Sequence, residues 1–172
     1  MEAGTHPAAA RVWQRLIHQA ELAHGRLAST TLRARDGHAW CVGEGGDAAR
    51  AVQLLRQVLA DTAESQLPQT SVIRTIRLSL AWWIGEAGDP AEAVRRLRSL
   101  LDTAAQQLDA DGRKVRLLRH ALTHWCAVAG PPDEAQSLLE ANLDEMARSF
   151  PATHLLVRAC RRDRALRRQQ QA

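Results

Sequence analysis

The stretch Ala39-Trp40-Cys41-Val42-Gly43-Glu44-Gly45-Gly46-Asp47 is answered 42 residues later by Ala81-Trp82-Trp83-Ile84-Gly85-Glu86-Ala87-Gly88-Asp89. Small and aliphatic residues follow both copies in register: Ala49, Ala51 and Val52 after the first, and Ala91, Ala93 and Val94 after the second. A weaker third copy reads Thr123-His124-Trp125-Cys126-Ala127-Val128-Ala129-Gly130-Pro131, with Ala135 beyond it. A fixed period of this size is the signature of a stacked helical array, in which function lies on a surface rather than in one pocket.

Around this core the chain punctuates into helices. Val12, Trp13, Leu16, Ile17 and Ala20 form one apolar stripe, which predicts a helix from about Pro7 to His24 with Gly25 as its terminator. A second helix is expected over about Thr30 to Gly43, although Gly37 costs it stability. Asp47 caps a third helix carrying Ala51, Val52, Leu54, Leu55, Val58 and Leu59. The fourth runs from about Gln69 to Glu86, with Ile73, Ile76, Leu80 and Ile84 along one side. Gly88-Asp89-Pro90 reads as a left-handed C-cap, an N-cap and a first helical residue, which makes a tight antiparallel turn. A loop at Asp109-Ala110-Asp111-Gly112 precedes a third pair, Lys114 to Ala129 and Pro132 to about Ser149, and a last helix is expected from about Pro151 to Arg168.

These motifs resemble the tetratricopeptide repeat (TPR) family, in its long variant of kinesin light chains and actinobacterial regulatory proteins. Leu80 to Val94 carries the likeness best: Ala81 after the helix A leucine, the Gly88-Asp89 turn, and Ala93 in helix B. The resemblance implies an all-α, right-handed α-solenoid of antiparallel helix pairs filling a single domain. Its parts would be an N-terminal helix at 7–25, repeats at 28–69, 70–111 and 112–152, and a capping helix at 153–168. In the third repeat Pro131 replaces the turn aspartate.

The family's ligand face is the concave wall of the helix A copies. By position it comprises Arg33, Asp36, Trp40 and Glu44, then Thr75, Leu78, Trp82 and Glu86, then Leu117, His120, His124 and Val128. Trp40, Trp82 and His124 would form a ladder of anchors for a partner protein or peptide. Alternatively, Trp40 and Trp82 pack between repeats, as buried tryptophans do. Trp83 and Trp125, one position on, read as core, and Trp13 as either core or an open end suited to a homodimer. The row of Lys, Arg and Asn that clamps a carboxylate-ended peptide in some relatives is absent from these positions.

Charge gives a rival reading. The net charge of +4 is concentrated in residues 153–172, where Arg158, Arg161, Arg162, Arg164, Arg167 and Arg168 face one acid, Asp163. That tail suits nucleic acid phosphates or an acidic partner, but it has no interleaved aromatics for base stacking. Against it stands the reading of a solvated outer face on a capping helix, whose cations favour its C-terminus.

Other chemistry finds little support. His120 and His124 are spaced i, i+4, but no Glu follows His120, so no zinc-protease signature forms and no metal or cofactor is expected. Gly43-Glu44-Gly45-Gly46 follows no strand and lacks the Lys-Ser/Thr of a phosphate loop. No nucleophile–base order appears, and the expectation is a binding protein rather than an enzyme. No apolar run is long enough for a membrane span, no secretory signal is evident, and three cysteines without CxxC spacing fit a reducing cytoplasm. The reading is a bacterial cytoplasmic adaptor used in regulation.

Overall fold

The computed structural model describes residues 5–68, 70–107, 113–129, 132–149 and Arg161. They form seven helices: α1 (Thr5–His24), α2 (Ser29–Glu44), α3 (Ala48–Glu64), α4 (Ser71–Glu86), α5 (Pro90–Gln107), α6 (Arg113–Ala129) and α7 (Pro132–Ser149). No strand occurs among the described residues. The loop at 109–112, the turn at Gly130-Pro131 and the capping helix expected over 153–168 lie outside them, save Arg161, which is helical and exposed.

Two compact units divide the chain, Met1–Asp89 and Pro90–Ala172. In the first, α1 packs on α2, α2 on α3 and α4, and α3 on α4. Its core joins Leu32, Ala39, Val52, Leu55, Val58, Ile73, Ile76, Leu80, Trp83 and Ile84. In the second, α6 packs on α5 and on α7, burying Leu97, Val115, Leu118, Leu122, Trp125 and Leu139.

Burial follows the sequence period. Leu55, Leu97 and Leu139, spaced by 42, are each 0% exposed, and Ala39 and Ala81 are equally closed. Small residues are required where helices cross closely, and a fully buried leucine contributes about 2–3 kcal/mol over an exposed one.

The third copy changes the chemistry at two of these positions. Thr123 stands where the others have alanine, and Asn142 where they have Val58 and Leu100. The buried Asn142 amide donates to Thr123 Oγ1 at 2.5 Å and to the Arg119 carbonyl at 3.0 Å, so α6 and α7 are joined by a polar latch.

The turns repeat bond for bond. At the end of α2, Gly46 N–H donates to the Gly43 carbonyl (2.8 Å) and Asp47 N–H to that of Val42 (3.3 Å). At the end of α4, Gly88 donates to Gly85 (3.0 Å) and Asp89 to Ile84 (3.1 Å). Gly46 and Gly88 hold φ of +97° and +101°, where a side chain would be strained. Asp47 Oδ1 then accepts from Arg50 N–H at 2.9 Å, capping α3 as expected. The end of α3 closes the same way, with Leu67 donating to Thr62 and Gln66 to Ala63. There the left-handed position falls to Gln66, at φ +51°.

Two expectations change. The α1 stripe is split: Trp13, Ile17 and Ala20 turn inward, whereas Val12 and Leu16 are 54% and 43% exposed. α1 packs chiefly on α2, so only half of a broad stripe is covered. Gly37, read as a weakness of α2, is also a seat. A β-carbon on it would come within 2.6 Å of the Trp13 ring.

Candidate functional site

The helix A positions fall as follows. On α2, Arg33 and Glu44 are exposed while Asp36 and Trp40 are half-buried; on α4, Thr75 and Glu86 are exposed while Leu78 and Trp82 are half-buried. On α6, in the second unit, Leu117, His120 and His124 are half-buried and Val128 is exposed. None of the twelve positions is fully buried. Trp83 and Trp125 are, as core residues should be.

Within the first unit the packing of α2 on α4 brings Trp40 and Trp82 together. Their rings stack with centroids 6.3 Å apart and planes 28° from parallel. Trp83 meets Trp40 edge-on at 5.0 Å, so a core tryptophan props the half-buried pair from behind. Aromatic pairs at these separations add about 0.5–1.5 kcal/mol beyond area burial.

Ser79 fixes the pair. It accepts the Trp40 indole N–H at 2.9 Å and donates to the Thr75 carbonyl at 3.2 Å. Trp40 is thereby held in one orientation with its indole N–H spent on the fold.

Asp36, one turn before Trp40, meets the same serine. Burial pushes its carboxyl above the ordinary value, and a hydrogen bond with Ser79 offsets part of that. Its Oδ1 is occluded and has no hydrogen-bond partner among the described residues.

The sequence reading did not single out Ser79. A signal existed: the period puts Gly37, Ser79 and Ala121 at one position, a small residue in every copy. Gly37 admits Trp13 and Ser79 receives Trp40.

In the second unit the His124 ring stands edge-on to Trp125 at 4.7 Å. Among the described residues no three His, Cys, Asp or Glu side chains converge as a metal set, and no helix is long and apolar enough to cross a membrane. Of the tail arginines only Arg161 is described.

No protein-family model matches the sequence, and no curated protein matches it. Solved structures do match the fold. A kinesin-light-chain-type protein of nearly identical TPR-like repeats from Podosopora anserina superposes with TM-score 0.71 at 21% identity, covering 96% of this chain and 79% of that one. A variant form of the same protein gives TM-score 0.73 at 21% identity, over 96% and 78%. BtubC (BKLC) from P. vanneervenii gives TM-score 0.75 at 16% identity, over 99% and 67%. The chain is therefore an all-α protein with the TPR-like repeat solenoid fold of these kinesin light chain structures.

Proposed function

We propose that this chain is a protein–protein interaction module that seats a partner segment on the α2–α4 face, with Trp40 and Trp82 as apolar anchors. The observation that carries this reading is the stacked, half-buried indole pair, braced by Trp83 and locked by Ser79. Interface hot spots are rigid aromatics of this kind, held in place before the partner arrives. Thr75 and Leu78 extend the face along α4. The role is adaptor rather than enzyme, in bacterial cytoplasmic regulation.

The test is affinity capture from native cell lysate with three baits: the wild type, Trp40→Ala/Trp82→Ala, and a chain ending at Val157. A protein kept by wild type and truncation but lost with the tryptophans, while helical circular dichroism is retained, supports the face. A nuclease-sensitive catch lost only with the truncation makes the arginine tail the working surface and ends this reading.

A further inference from the structure

The charges around the tryptophan pair run against the preference of the helices that carry them. α2 ends at Glu44 and α4 at Glu86, and neither helix has a basic residue in its last turn. The carbonyl end of a helix bears partial negative charge, so a carboxylate there is disfavoured. The same unfavourable choice is made twice, 42 residues apart, and each glutamate lies one turn beyond a tryptophan: Trp40 to Glu44, Trp82 to Glu86. Both glutamates are exposed, and no ion pair reaches either among the described residues.

Asp36 adds a third carboxylate, one turn before Trp40. It too has no ion pair among the described residues, although burial makes its charge costly. Against these three acids the face positions of α2 and α4 hold one cation, Arg33.

We infer that the α2–α4 face takes a cationic segment of a partner protein, with an arginine or lysine head group laid on the open side of the Trp40–Trp82 pair and Glu44, Glu86 and Asp36 as its counter-charges. This rests on the reading that the face binds a partner at all. A guanidinium or ammonium over an indole is attracted by the ring's negative face. It would also relieve the like charge at both helix ends and offset the costly charge of Asp36 from the surface. An acidic segment would meet three like charges and one opposite one.

A phage library of random twelve-residue peptides, panned on the full chain, tests this. Bound clones are re-screened on Trp40→Ala/Trp82→Ala and on Glu44→Lys/Glu86→Lys, the second pair being exposed and safe for folding. The expected result is that clones lost on the tryptophan variant are rich in Arg and Lys. Their synthetic peptides should bind the charge-reversed chain about tenfold more weakly and lose affinity with added salt. Tryptophan-dependent clones rich in Asp and Glu, or without charge bias, overturn the cationic assignment while leaving the face as a binding surface. If no clone depends on the tryptophans or on the glutamates, both readings fall.

Discussion

The ring of Trp83 lies against Gly43, so closely that a β-carbon on that glycine would sit far inside van der Waals contact with it. α2 and α4 approach each other across this seat, one turn from the half-buried tryptophans. Relieving a clash this close costs about 2–3 kcal/mol, the upper part of the overpacking range, against the roughly 1 kcal/mol an alanine gains over glycine in a helix. Gly43→Ala should thus lose about 1–2 kcal/mol, or roughly 5 °C in Tm for a chain of this size, measured by thermal unfolding. Adding Trp83→Leu should recover part of the loss, because the two residues are coupled. A Gly43→Ala protein as stable as the wild type would refute the seat.

Asp36 should make the fold more stable when it cannot ionise. Its folded pKa is raised above 3.8, first by burial. Stability therefore falls as pH rises from near 3.8 through the folded value, and returns as acid protonates the group. Asp36→Asn is expected to melt above the wild type at pH 7, with the gap closing below about pH 4. An unchanged or lower Tm at pH 7 counts against a costly buried charge.

Asp61 behaves in the opposite sense. Burial works against its charge, but hydrogen bonds from Arg35, Gln57 and Arg26 outweigh it and hold the carboxyl below the ordinary value. Both guanidinium contacts are 2.7 Å, yet Arg26 is 59% exposed and Arg35 only 13%. The stabilisation is complete above the unfolded value of 3.8 and is lost as pH falls through the folded one. Asp61→Asn should cost about 1.5–3 kcal/mol at pH 7 in urea unfolding, since it also strands Arg35. Arg26→Ala should cost below about 0.5 kcal/mol, and equal losses from Arg26→Ala and Arg35→Ala would contradict this geometry.

Gln66 occupies a backbone conformation that its neighbours' turns give to glycine. Left-handed backbone costs an ordinary residue about 1–2 kcal/mol, and glycine's greater freedom in the unfolded chain returns about 0.4–1 kcal/mol of that. Gln66→Gly should raise stability by about 0.5–1 kcal/mol, read as a higher urea midpoint. A lower midpoint would mean that Gln66 makes compensating contacts.

Much of this was legible because the period carries its own error check. Gly88-Asp89-Pro90 showed its turn, and Trp83 showed its place in the core, while Trp82 beside it was open to either anchoring or packing between repeats. α2 was the least legible helix for a physical reason. It is packed on α1, α3 and α4, so its buried residues do not form one stripe, and its two glycines are openings for rings that come from elsewhere in the chain. Neither Trp13 over Gly37 nor Trp40 on Ser79 has a local signature. The split of the α1 stripe was hidden likewise, because a stripe tells how much apolar surface a helix offers and not how many neighbours it has.

The latch between Asn142 and Thr123 limits how this chain can be rebuilt by recombination. A copy of α7 transplanted onto α2 or α4 would meet Ala39 or Ala81 where it requires a hydroxyl, leaving one N–H of the buried amide unsatisfied at a cost of about 1–3 kcal/mol. Duplication could spread the Ala39 and Ala81 type of repeat freely, but the α6–α7 pair travels only as a unit, keyed to itself.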